Sequence, residues 1–383
     1  MNMKCTRENW FAASGARAWR SVTSPAASRE SPAPELDIFG APQTLQAAGM
    51  NLSFQGTLGA GIAYALSLIR SRYEGNRNPA NDMPFHSVEH TIGVVRRTCA
   101  LLRGMGASEK ECRAGIVAAA FHDTVQRWVP SPFSDGRVMR RRSTGQNEAD
   151  SAAEAAGWML HDGITVFDQQ DRTLVTQAIL ATVPGWDAKN ETIFQPKVTL
   201  DAPLVVRAVA LADLGIAGMD GATFVETGDQ LFREENLDIA GALRFAPAHA
   251  GLRAGTLESY KVRMLAWSRS QVGFARGRRA RLEIELGNLS STAKSAVRVL
   301  FSQFEAALTT ATEAVTIREA LPPWEVARAM GYSIPGEVVA HGQATRTSGT
   351  VAEEITNRVN RSNNCIDPVR PAIGVVSAND PPL

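Results

Sequence analysis

Between about Leu52 and Pro335, apolar residues recur three or four positions apart and almost never alternate. Val88, Ile92, Val95, Cys99 and Leu102 form one such row. This spacing draws a stripe along a helix and cannot cover one face of a strand. Further segments read as helices over Glu148 to Leu160, Asp171 to Ala181, Pro203 to Gly218, Leu257 to Glu285 and Ala293 to Leu321. Ser108 followed by Glu111 has the pattern of a capping box ahead of the run Ile116 to Phe121. Period-two alternation is confined to short pieces, Lys197 to Leu200 being the best. The expected fold class is therefore all-α, in one helical domain over residues 52–335.

Composition separates the two ends from this middle. Residues 1–51 hold the stretch SVTSPAASRESPAPELDIFGAPQ, rich in Ala, Ser and Pro and without helical periodicity. Such a segment buries too little apolar area to offset its ordering entropy, so disorder is expected. Residues 336–383 read the same way, with one short helix expected over Val351 to Val359. The longest apolar stretch, Leu58 to Ile69, falls short of the ~20 residues a bilayer requires, so no membrane partner is expected. Forty basic residues face thirty-nine acidic ones, a net charge of +1 that excludes a chain-wide polybasic field and disfavours a nucleic-acid partner. The four cysteines, Cys5, Cys99, Cys112 and Cys365, lie far apart without a CxxC, which argues against a disulfide framework or zinc ribbon. Free thiols and the lack of an apolar leader at the N-terminus lead to an expectation of a reducing, cytoplasmic setting.

Chemistry concentrates in three places. Of six histidines, His86 and His90 share the string PFHSVEH, and His122 precedes Asp123 at the end of the apolar run GIVAAAFHD. Placed four apart on a helix, His86 and His90 would face one pocket. The run before His122 must be buried, which carries the His122–Asp123 pair to the edge of a core. Asp213 closes a third apolar run, VVRAVALADLG. A carboxylate in such a place is costly unless paired, and a divalent cation is an effective partner. The alternative for Asp213 is an ion pair with Arg207 or Arg263.

The order His90, His122–Asp123, Asp213 resembles the signature of the HD superfamily of metal-dependent phosphohydrolases. NPANDMPFHSVEH is similar to the Asn-Pro-Tyr-His-Asn-x-x-His segment of the cyclic nucleotide phosphodiesterases in that superfamily, with Phe85 in place of the tyrosine and Ser87 in place of the asparagine. QNEADSAAEAA, which supplies Asn147, Glu148 and Ser151, resembles a segment that follows the HD pair in small bacterial HD hydrolases. The resemblance spans about Asn78 to Met219. It implies an HD-type helical bundle. It also implies a divalent metal ion (Mn, Fe, Zn, Co or Mg) held by His90, His122, Asp123 and Asp213. Within it, His86 is the expected general acid, and Glu148 the carboxylate that orients His86 or a water. The substrate implied is a small phosphoester such as a nucleotide. Gln126 stands where the phosphodiesterases carry a further histidine, and Val183-Pro184 follows AILAT where small relatives place another. One tightly bound ion is thus expected. These departures keep a second reading open, a catalytically weak HD domain that senses a nucleotide or metal.

Other residues carry weaker signals. His161–Asp162 reads as a helix end, and His249 and His341 as loop or tail residues without a role. Arg140–Arg141–Arg142 and the group Arg276, Arg278, Arg279 and Arg281 have the chemistry to grip phosphate. The alternative favoured for the second group is a face neutralised by Glu283 and Glu285. Gln271, Phe274 and Arg278 fall on one stripe of that helix, the arrangement of a core face or of a base-binding surface.

Overall fold

Helix α1 (Gly56–Tyr73) turns Ile62, Ala65, Leu66, Ile69 and Tyr73 inward, which makes the apolar stretch the buried face of a packed helix. The computed structural model describes residues 56–74, 82–163, 165–245 and 254–332. The two expected extensions, 1–51 and 336–383, lie outside them, as do Cys5, Cys365, His249, His341 and the Val351–Val359 helix. Among the described residues no helix is long and apolar enough to cross a membrane. They all fall within one unit, Ser53–Leu383, and the architecture is all-α with two short hairpins.

The centre is built by α2 (Val88–Gly104), α3 (Glu109–Phe121) and α6 (Leu204–Asp213), with α4 (Gln146–His161) and α5 (Gln169–Leu180) packed around them. Ser87 caps α2 by accepting the His90 N–H at 3.3 Å. The capping box at α3 forms as expected, with Ser108 and Glu111 satisfying each other's backbone N–H. The small side chains of α3 let neighbours approach closely: a Cβ on Gly115 would lie 2.4 Å from Leu102. Ala114 to Phe121 and Val205 to Ala212 are buried without interruption, so α3 and α6 are core helices whose ends alone reach solvent.

A second layer follows. Here α8 (Phe224–Glu235), α9 (Leu237–Phe245), α10 (Ala254–Glu285), α12 (Phe304–Ala320) and α13 (Pro323–Ala329) enclose Phe232, Ile239, Leu243, Met264, Val326 and Met330. Burying each such side chain contributes about 1.5–3 kcal/mol.

The structure departs from the periodicity in four places. Pro203 to Gly218 is two helices, α6 and α7 (Ile216–Met219), separated at Leu214–Gly215. Ala293 to Leu321 is likewise two, α11 (Ser291–Leu300) and α12, because Gln303 turns to donate to Gly218 O at 2.8 Å. Phe301 and Phe304 stack there against Gly218, whose missing Cβ would lie 2.4 Å from Phe301. Two antiparallel hairpins appear, β1 (Trp128–Pro132) with β2 (Val138–Arg142), and β3 (Gly185–Asp187) with β4 (Thr192–Phe194). Their prolines, arginines and three-residue lengths hid them from any alternation count. Lys197 to Leu200 is turn, with Val198 N donating to Gln195 O at 3.1 Å.

Candidate metal centre

Three helix ends converge on one point. His90 lies in the first turn of α2, His122 caps the C-terminus of α3 with Asp123 next, and Asp213 is the last residue of α6. Each of these four side chains offers a ligand atom within 4.8 Å of the other three. His122 Nε2 lies 3.0 Å and His90 Nε2 3.5 Å from Asp123 Oδ2. Asp213 Oδ1 lies 3.5 Å from His122 Nε2 and 3.6 Å from His90 Nε2. Despite these approaches, both imidazole Nε2 atoms are buried without a hydrogen-bond partner. Four ligand atoms thus gather around one point. Orphaned buried nitrogens are rare, and a cation between them resolves both. The residues fit a divalent ion. His122 Nδ1 donates to Ala119 O at 2.8 Å, so Nε2 is the nitrogen left to meet a cation.

Charge in the cluster follows the same logic. Burial works to lower the His122 pKa, but Asp123 and Asp213 overcome it and hold the imidazole well above its ordinary value. Burial likewise opposes ionisation of Asp213, yet the His122 and His90 rings bring it down to about 2. Asp123 is held well below the carboxylate range by His122, again against burial. The alternative partners of Asp213 are engaged elsewhere: Arg207 binds the carbonyls of Thr199, Leu200 and Glu285, and Arg263 binds Asp238.

His86 reaches the site by another route than expected. Residues 84–87 form a bend before α2, so His86 and His90 do not share a helix face. The chain turn still brings their rings to 6.0 Å, with Phe85 packed against both. Glu234 on α8 orients His86: its Oε1 accepts from Nδ1 at 2.7 Å, and its Oε2 accepts the Phe85 and His86 N–H groups at 3.0 and 3.1 Å. The opposite ring nitrogen, Nε2, lies 3.8 Å from Asp123 Oδ2 and accepts from Arg142. Burial, then the Arg142 charge, lower the His86 pKa. Glu148, expected to orient His86 or a water, makes no hydrogen bond to His86; it caps α4 by accepting the Gly145 N–H at 2.5 Å, and burial raises its pKa. The orienting carboxylate is Glu234. It comes from α8, far along the chain, in a charged string (FREEN) that carries no local mark of a site.

The remaining motif residues hold the backbone. Ser151 Oγ accepts the Val125 N–H at 3.0 Å and Asn147 Oδ1 the Arg127 N–H at 2.8 Å, so α4 pins the stretch after Asp123. His161 ends α4, as expected for a helix end. Three of the four arginines expected on this face of α10 are neutralised within the molecule: Arg278 and Arg281 bind Glu285, Arg281 also Asp187, and Arg279 Glu305, while the expected partner Glu283 binds Arg298. Gln271 is buried and Phe274 stacks on Phe224, so that stripe is core.

No family model, no curated protein and no solved structure matches this chain.

Proposed function

We propose that this protein is a metal-dependent phosphohydrolase that cleaves a phosphoester of a nucleotide or another small molecule. The observation that carries the reading is the convergence of two orphaned imidazole nitrogens and two carboxylates on one point at the edge of the core. His90, His122, Asp123 and Asp213 would hold one ion. Their mixed nitrogen and oxygen donors suit Mn, Fe, Zn, Co or Mg. When bound, the ion supplies Lewis acidity toward phosphoryl oxygen and a water acidic enough to attack at neutral pH.

The protein's own groups supply the rest. His122 keeps Nε2 free by donating from Nδ1 to Ala119 O. Glu234 holds the His86 proton at Nδ1 and turns Nε2 toward Asp123. A proton taken up at Nε2 from the attacking water would pass to the leaving oxygen once Arg142 withdraws from that nitrogen, with Glu234 balancing the imidazolium while it exists. Phe85 covers the His86 and His90 rings and keeps bulk water off them. A second reading, a metal- or nucleotide-sensing module with weak turnover, draws on Arg142, which already donates to the Nε2 that must carry the proton.

Elemental analysis of protein purified without chelators tests the first reading, beside His122→Ala and Asp213→Ala. About one transition metal per chain in the wild type, lost in both variants, is expected, followed by Mn-dependent hydrolysis in a phosphomonoester and phosphodiester panel. Protein that neither carries metal nor retains it after incubation with Mn, Fe, Zn, Co or Mg ions refutes it. Bound metal without turnover favours the sensor.

A further inference from the structure

Each carboxylate of the cluster has an inner oxygen facing the imidazoles and an outer oxygen facing a buried amide. Gln126 Nε2 donates to Asp123 Oδ1 at 2.8 Å, while Asp123 Oδ2 faces His122 and His90. Gln195 Nε2 donates to Asp213 Oδ2 at 2.9 Å, while Asp213 Oδ1 faces the same two rings. Gln126 is 8% and Gln195 5% exposed, so neither amide swings freely into solvent.

The direction of each amide is set by its surroundings. Gln126 Oε1 accepts from Arg142 Nη1 at 3.1 Å and lies 3.5 Å from Asn147 Nδ2, which leaves only its NH2 for Asp123. Gln195 meets the carboxylate of Asp213, which can only accept, so its NH2 must face it. Gln195 follows β4, and α10 clamps that hairpin. Arg278 binds Ile193 O at 3.1 Å, Arg281 binds Asp187 and lies over the Phe194 ring, and Thr192 Oγ1 donates to Phe274 O at 3.4 Å. A Cβ on Gly277 would lie 2.5 Å from Asn190 O, so only glycine lets the hairpin seat this closely. Arg278 and Arg281 thus serve as a strut for Gln195.

We propose that Gln126 and Gln195 are positioning residues that restrict Asp123 and Asp213 to one ligating oxygen each and so leave coordination positions for water and substrate. The inference rests on the metal-site reading above. An amide is suited to this task because it donates without titrating and adds no charge beside the carboxylate. Groups that orient ligands in this way are commonly worth about ten- to a hundredfold in metal affinity.

The test is a Co(II) titration of the metal-free full chain, comparing wild type with Gln126→Met and Gln195→Met, which keep the unbranched shape and remove the donor. Visible absorption reads affinity and coordination geometry together, and thermal melting of the metal-free proteins reads the fold. The expected result is about ten- to a hundredfold weaker Co(II) binding in each variant, an altered visible band and a metal-free Tm close to wild type. Gln195→Asn, which keeps the amide but withdraws it by one methylene, should act in the same direction and serves if the Met variant misfolds. Unchanged affinity and spectrum with a lowered metal-free Tm would assign the glutamines to packing alone and overturn the proposal. If the wild type itself binds no Co(II), the metal-site reading falls and this inference with it.

Discussion

Replacing Glu234 by Gln isolates the group that holds His86 in place, and its cost follows from the structure. Glu234 is 1% exposed and accepts four hydrogen bonds, from Phe85 N, His86 N, His86 Nδ1 and Arg142 Nη2. Its carboxylate sits near pKa about 2 against an ordinary 4.5: burial opposes ionisation, and His86 and Arg142 more than reverse it. A shift of that size corresponds to about 3 kcal/mol at neutral pH. Counting donors gives the same order. Glutamine keeps the shape but presents an NH2 to one oxygen's pair of N–H donors, so two buried donors lose their acceptor at about 1–3 kcal/mol each.

The sign is definite. A depressed carboxylate stabilises the fold above its unfolded pKa, and that contribution is lost as pH falls through the folded value. Glu234→Gln should therefore cost about 3 kcal/mol in urea unfolding at pH 7, and the gap to wild type should narrow by roughly 1 kcal/mol by pH 3.5. A loss below about 1 kcal/mol at pH 7, or a gap that does not change with pH, would refute the assignment of Glu234 as a buried ionised anchor.

Three more outcomes follow from the same geometry. Asp123 and Asp213 hold the His122 pKa well above its ordinary value, so the metal-free imidazole keeps beyond that value a proton that ligation must expel. Calorimetry near pH 7 in buffers of different ionisation enthalpy should report proton release on metal binding, with affinity rising with pH; buffer-independent enthalpies would contradict it. Gly277→Ala should push Asn190 O and the β3–β4 hairpin away from α10, costing about 1–3 kcal/mol and weakening metal retention through Gln195; full stability with undiminished metal content would break that link. His86→Ala should slow hydrolysis of an alkyl phosphoester on the order of a hundred- to ten-thousand-fold and spare a p-nitrophenyl ester, whose leaving group needs no proton. Equal losses on both substrates would remove His86 from proton transfer.

Local patterns foretold much of the helical frame and the make-up of the cluster. The Val88 to Leu102 row became α2, Ser108 and Glu111 formed their box, and two apolar runs ended at His122–Asp123 and Asp213, which meet His90 from the first turn of α2. Where one long helix was expected, breaks at Gly215 and Ser302 intervened, because Gly218 and Gln303 trade a helical continuation for a contact between elements. The hairpins stayed hidden because three- and five-residue strands holding proline and arginine carry too few alternations to read.

The amino-acid order by itself thus determined the helices around the cluster and the histidines and carboxylates at their ends, since periodicity, capping and a charge closing an apolar run all act within a few residues. Only tertiary structure decided what stands behind those ligands. Glu234 reached His86, Gln195 took the outer oxygen of Asp213, and Arg278 and Arg281 turned inward to brace a hairpin. These partners are common residues in ordinary polar strings. A hydrogen bond such as that between His86 and Glu234, far apart in the chain, depends on how helices pack, and that packing is set by the sum of many weak side-chain contacts rather than by any short motif.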